Sequence, residues 1–346
     1  MSIVYNPKIS VFLGKVGTLP FKNNLKKLLT GLSISQEYIC LDLAKHEYSL
    51  SVYLSALPTP TEVTACHLFL GYKPLIIGIP LSTGSEEYQA LKSLDQIQLT
   101  FMTNETFQNV LGARPMVLAK LDLKRIAIKT LGDQVIQFYE GRYGQHAFLN
   151  FFNQLINRQR DNRRKSDAAN INLIGNLYDQ VRIAYSVPRI ISVITVGEGE
   201  LFNMFPTDLH GPVGKKFYIS SLRIGGRAND QVENLKRVVI SQVSASAYKQ
   251  VYLLGKNHMQ DLKPVANFSI DNERSETYKF PLPEGVTQYR ELKRIDSFDH
   301  GIHRIHLYEV MNSKGLRDES SILTHIHQYY AQWRTDRHLP TQMLLR

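Results

Sequence analysis

"VPRIISVITVGEGELFNMFPTDLHGP", residues 187–212, opens with a proline and runs into a β-branched stretch, Ile190 to Val196, which breaks at Gly197 and Gly199. Apolar, β-branched runs bounded by Pro and Gly are strand grammar. After the break comes an aromatic-and-amide loop, Phe202, Asn203, Met204, Phe205 and Thr207. Downstream, the same grammar recurs in "KKFYISSLR" (215–223), "KRVVISQVS" (236–244), "TQYRELKRID" (287–296) and "IHRIHLYEVMN" (302–312). Short strands at this spacing, separated by turn-rich segments, predict a barrel. "ESSILTHIHQYYAQWR" (319–334) reads as a closing helix.

Upstream the pattern changes. Residues 144–185 begin as an amphipathic helix and run into "RQRDNRRK", the densest basic cluster of the chain. Such a run is ordinarily a solvated face or linker, and no aromatic side chains interleave with its arginines as base stacking requires. Nucleic acid is therefore not an expected partner. Before it, "FKNNLKKLLTGLSI" has helical spacing, while "EYICLDLA", "YSLSVYLS" and "HLFLGYKPLIIGIPL" read as strands. The chain divides into an N-terminal α+β domain of unassigned role (1–143), a helical and basic connector (144–185) and a barrel domain with a C-terminal helix (186–346). No internal repeat is evident.

Composition fits a globular protein, with 43% hydrophobic and 21% charged residues among 346. The net charge of +10 favours anionic partners. Cys40 and Cys66 stand apart with no C-x-x-C spacing, so neither a zinc cage nor a disulfide framework is implied, and a cytoplasmic location is the simplest expectation. The N-terminus has no signal-peptide pattern, and the most apolar run, "PLIIGIPL", is too short to span a bilayer, so no membrane is expected. P-loop, G-x-S-x-G, H-E-x-x-H and G-x-G-x-x-G motifs are absent, which removes the usual anchors of NTPases, hydrolases, zincins and Rossmann enzymes.

Taken in order, "VPRIISVITV", "GELFNMFPTDLHGP", "FYISSLR", "VENLKRVVISQVS" and "DHGIHRIHLYEV" resemble the successive segments of the flavin reductase-like family, whose fold is the FMN-binding split β-barrel. The resemblance covers roughly residues 175–320. It departs from the family pattern at Ser241 and Gln242, where Asn-Val is frequent, and in "SAYKQVYLLGKNHMQDL". It implies FMN, with FAD as the other candidate flavin, and NAD(P)H as electron donor. It also implies a homodimer and a partner oxygenase. The implied activity is that of an NAD(P)H:flavin oxidoreductase; the alternative is a non-catalytic module on the same barrel carrying flavin or haem.

A flavin mononucleotide needs an apolar wall for its ring, polar donors for its edge and a cationic or N–H-rich corner for its phosphate. Phe202, Phe205 and Met204 supply a wall, with Asn203 and Thr207 for the edge. Ser220, Ser221, Arg223, Arg227 and Asn229 supply the corner, where Gly225 and Gly226 permit close backbone approach. Lys256 and His258 in "GKNHM" are further anion contacts. By resemblance His300 flanks the nicotinamide or flavin edge and Asp299 orients it. On one strand His300 and His306 share a face and His303 takes the other, so the three do not converge on a metal, and none is expected. His325 and His327, two apart on a helix, diverge.

Overall fold

The computed structural model describes residues 26–44, 50–55, 60–104, 114–163, 171–317, 321–339 and 342–344. The basic run is thus described only as far as Arg163, and Arg164 and Lys165 lie outside the described residues, as does the first part of "FKNNLKKLLTGLSI". The fold is mixed α/β, and every strand pair among the described residues is antiparallel. A seven-stranded sheet spans Leu50 to His146, an eight-stranded sheet spans Ser192 to Gly315, and a four-stranded sheet joins Tyr38–Ala44 to Ser321–His327. No helix among the described residues is long and apolar enough to cross a membrane.

The two large sheets are two copies of one design. Each is centred on a long hairpin: Val117–Leu131 with Gln134–His146, and Val286–His300 with His303–Gly315. The paired elements lie 169 residues apart throughout, from Val117 and Val286 to Gly132 and Gly301. Register shifts fall at Asp122/Leu123 and Arg125/Ala127 in one hairpin and at Glu291/Leu292 and Arg294/Asp296 in the other, the same places. Bulges bend a strand and fix its register, so matching bulges mean matching shape. The neighbouring ladder agrees as well: Gln96 pairs Lys124 as Arg237 pairs Lys293, with the next shift after Phe101 and after Gln242. Outward from the hairpins, both sheets add strands in the same order.

An internal repeat is therefore present, contrary to the sequence reading. It is written in the chain most clearly as "LKRI" at 123–126 and 292–295 and "YE" at 139–140 and 308–309, within thirty aligned positions of which nine are identical.

The halves face each other through equivalent elements, as an isologous pair does, but the side chains at those places differ. Tyr72 N–H donates to His303 Nε2 at 3.1 Å. At the mirror position, a Cβ on Gly214 would lie 3.0 Å from the Gln134 side chain. Lys129 and Phe298, which occupy equivalent places in the two hairpins, touch each other, with the ammonium 5.6 Å from the ring centre. One apolar cluster contains Leu70, Ile136 and Phe138 from the first sheet together with Ile219, Ile305 and Leu307 from the second.

Three expectations about segments are corrected. "FNMFPT" is not a loop but the strand Leu201–Thr207. "SILTHIH" is a strand, Ser321–His327, because it completes the sheet around Tyr38–Ala44; only Gln328–Thr335 is helical. That helix buries Tyr330 and Trp333 in the cluster formed by the first sheet. The same core takes Val181, Ile183 and Ala184 from the helix Asn176–Ala184, so this part of the expected connector is interior.

Candidate functional site

Three segments of the second sheet converge beside the first. Strand Leu201–Thr207 ends in Asp208 and Leu209; strand Phe217–Arg223 turns through Ile224–Gly226 into the helix Arg227–Leu235; and Gly255–Met259 forms a short 3-10 turn above both. Together with Tyr72 and His303 they enclose a cavity of about 400 Å3. That volume lies in the range of ligand pockets.

Local chemistry fixes each wall. Gly225 adopts φ 81°, a left-handed conformation that costs a residue with a Cβ. Gly226 caps the helix without any side-chain hydrogen bond, and a Cβ there would sit 3.3 Å from Arg223 O and 3.5 Å from His258 O. The amides of Arg227 and Ala228 at this helix start thus have no side-chain cap, while that of Asn229 donates to Gly226 O at 3.0 Å; Gly226 and Ala228 line the cavity, where open amides favour an anion. Arg223 and Lys256, both exposed, add positive charge to the same cavity, and Ser221 and Asn229 add polar atoms. Pro206, Leu209, Leu222, Met259 and the ring of Tyr72 supply apolar surface.

Asn203 faces away from the cavity and clasps the turn that covers it. Its Nδ2 donates to Gln231 Oε1 at 2.7 Å and to Asn257 O at 3.0 Å, while Asn257 Nδ2 donates back to Met204 O at 2.8 Å. His258 is held by Pro206 O at 2.8 Å. Burial lowers the His258 pKa, against the opposing pull of that carbonyl and of Asp208.

His303 is 1% exposed, and burial, reinforced by the charges of Arg223 and His300, pushes its pKa down to about 4. The ring is neutral at pH 7, and because Nε2 accepts from Tyr72 N–H, the proton sits on Nδ1, 3.4 Å from Ser221 Oγ. Burial likewise brings His306 down to about 3, so its neutral ring can donate through Nε2 to Asn229 Oδ1 at 3.1 Å and orient that amide.

Of the residues expected from sequence, Thr207, Ser221, Arg223, Asn229, Lys256 and His258 line this one cavity. The others lie elsewhere. Strand alternation sends Phe202 into a cluster with Phe280 and Leu282, and Phe205 into a different core with Tyr218 and Tyr308. Ser220 is buried against Tyr308 OH at 2.9 Å, and Arg227 faces solvent with Asp261 at 3.4 Å. Asp299 does not orient His300: it forms a bidentate pair with Arg304 at 2.6 and 2.8 Å. His300 Nε2 instead meets Glu140 Oε2 of the first sheet at 2.7 Å. The reason is the turn at Gly301, φ 59°, which splits "DHGIH" into a hairpin and turns His303, not His300, into the cavity.

Sequence reading missed Tyr72, Asp208, His303 and His325. Asp208 stands between the cavity and a smaller one of about 130 Å3 lined by Cys40, Tyr252 and His325. It accepts from Tyr185 OH at 2.9 Å and from His325 Nδ1 at 3.0 Å. Burial opposes charge on both partners, yet their pairing prevails: Asp208 is held below the ordinary carboxylate range and His325 is raised to about 9. Asp208 was visible inside "FPTDLHGP", next to the loop already singled out. Tyr72, more than a hundred residues away, had no local signal.

No family model matches the chain, and no curated protein matches it. Among solved structures it is similar to the NADH:FAD oxidoreductase SgcE6 of Streptomyces globisporus, at 16% identity over 44% of this chain and 89% of that one, with a TM-score of 0.38. It is also similar to BorF, the flavin reductase component of a bacterial two-component tryptophan halogenase, at 14% identity over 44% of this chain and 94% of that one, TM-score 0.38. A third is an FMN-binding protein of Thermus thermophilus, at 16% identity over 44% and 80%, TM-score 0.34. Each of these matches covers 44% of the chain.

Proposed function

We propose that the chain is a flavin-binding oxidoreductase that takes FMN in the cavity between the Gly226 turn, the Gly255–Met259 turn and Tyr72, and that NAD(P)H is its electron donor. The observation that carries this reading is the convergence, in one space of about 400 Å3, of a glycine turn opening a helix with no side-chain cap, Arg223 and Lys256 with an apolar and aromatic surface. A phosphorylated flat ring needs those two kinds of wall side by side. Glycine suits this tight turn, since Gly225 takes φ 81° and a Cβ on Gly226 would come within 3.3 Å of Arg223 O.

Arg223, Lys256 and the first amides of the helix Arg227–Leu235 hold the phosphate, with Ser221 and Asn229 as hydrogen-bonding groups. Thr207 and the neutral His303 Nδ1–H serve the polar edge, and Tyr72, Leu209 and Met259 exclude water. A bound flavin supplies two-electron chemistry with nicotinamide; the protein's part is orientation and local charge. Positive potential around the cavity also speeds encounter with anionic nucleotides.

The test is a visible spectrum of the purified protein, a fluorescence titration with FMN, and NADH and NADPH oxidation with FMN present. Saturable binding with nicotinamide consumption supports the oxidoreductase. Binding with no nicotinamide consumption identifies a non-catalytic flavin carrier, a reading favoured by the absence of His300 and Asp299 from the cavity. No binding of FMN or FAD refutes the proposal.

A further inference from the structure

The two copies share ladders but not turns. Arg223, Gly226, Arg227 and Asn229 of the second copy correspond, 141 residues earlier by the pairing of Gln96 with Arg237, to Ser82, Ser85, Glu86 and Tyr88 of the first. Where the second copy has a cation at the strand end the first has a serine, and where it has the next cation the first has a carboxylate. Glu87 adds a second negative charge in the same turn. Ser85 accepts from Tyr88 N–H at 3.2 Å, so its helix is capped by its own side chain, where Gly226 leaves the amides open. His303 corresponds to Gln134. The segment that carries Lys256 and His258, within residues 244–285, stands where the first copy has only residues 104–116.

What the first copy does provide is a wall. Tyr72, at the turn of the hairpin Leu68–Ser82, lines the second copy's cavity, and its ring lies edge-on to His303 with centroids 4.5 Å apart. The mirror-image service is missing, because the second copy has Gly214 at the position of Tyr72 and so no side chain to offer.

We infer that the chain is a fused pair with a single working site: the N-terminal copy has lost its own anion turn and serves in cis as the second wall of the C-terminal cavity. One chain then binds one flavin without a second chain. This rests on the flavin reading, and it assigns within one chain the role that the family resemblance gives to a homodimer partner.

The experiment combines light scattering with an FMN titration of the full-length protein. The expected result is one FMN per 39.6 kDa chain, with an affinity independent of protein concentration. Tyr72→Ala weakens FMN binding about tenfold, the worth of one aromatic contact, and Tyr72→Phe restores it. Glu86→Gln leaves affinity within about twofold. Two FMN per chain, one FMN per two chains, or wild-type affinity in both Tyr72→Ala and Tyr72→Leu would overturn the inference; the wild-type stoichiometry decides it even where a variant folds poorly. Should FMN not bind, the flavin reading fails and inorganic phosphate decides the remainder by amide chemical shifts. Shifts at Gly225–Ala228 and none at Thr83–Glu86 retain the one-site assignment, whereas shifts at both turns, only at the first, or at neither refute it.

Discussion

The turn at Thr83–Ser85 and the turn at Ile224–Gly226 occupy the same place in two copies of one sheet, and they differ in almost everything that concerns an anion. One is capped by Ser85 and followed by Glu86 and Glu87; the other is uncapped, flanked by Arg223 and covered by Lys256. Backbone ladders and bulges were kept while turn chemistry diverged. The lesson is that ladder register, set by core packing, and ligand chemistry, set by a few turn residues, are separable layers of the same fold.

Substitutions at equivalent positions probe each layer. Ile136 and Ile305 are counterparts in the cluster shared by both sheets, and both are fully buried. Either changed to Ala should cost about 2–5 kcal/mol and lower one cooperative melting transition. Two separate transitions, each responding to one variant, would show that the copies unfold independently. At the turns the outcome should be unequal. Arg223→Glu is expected to weaken FMN binding roughly 30- to 100-fold in a fluorescence titration, since it replaces a charge-assisted donor by a like charge. Ser82→Glu at the counterpart should change it less than about twofold, and an equal loss there would erase the asymmetry.

Smaller effects sharpen the picture. Asn203→Ala removes the clasp on the covering turn and should cost about 1–3 kcal/mol in thermal stability, weakening FMN only through the loosened turn. The Asp208–His325 pair adds a pH signature. The folded pKa of His325, about 9, exceeds the ordinary 6.5, so its contribution is complete below 6.5 and is lost as pH rises through 9. Asp208 is lowered, so its contribution holds above the ordinary carboxylate range and is lost in acid. Melting temperatures should accordingly fall between pH 7 and 10 in the native protein, and Asp208→Asn should flatten that slope. The least effect is expected from His300→Ala, whose partner Glu140 is partly exposed: at most about 1 kcal/mol, with FMN affinity nearly unchanged.

Much of the second sheet was legible because its strands alternate or carry β-branched runs between Gly and Pro, and the six residues from Thr207 to His258 that line the cavity were found from charge, amide and glycine content. The rest needed three dimensions. Phe202 and Phe205 looked like one wall until strand period two sent them to opposite sides. "DHGIH" read as one strand until Gly301 turned it. "SILTHIH" read as helix because its apolar spacing fits both periods, and only pairing with Tyr38–Ala44 decides. The repeat was readable in "LKRI" and "YE", but its turns have diverged enough to hide it from a segment-by-segment reading.

Hydrogen–deuterium exchange with and without FMN addresses most directly whether both copies build one cavity. Protection on adding FMN should appear together at Gly71–Lys73 and at Arg223–Asn229, with none at Ser82–Tyr88. Protection limited to the second copy, or present at Ser82–Tyr88, would contradict a single site walled by both.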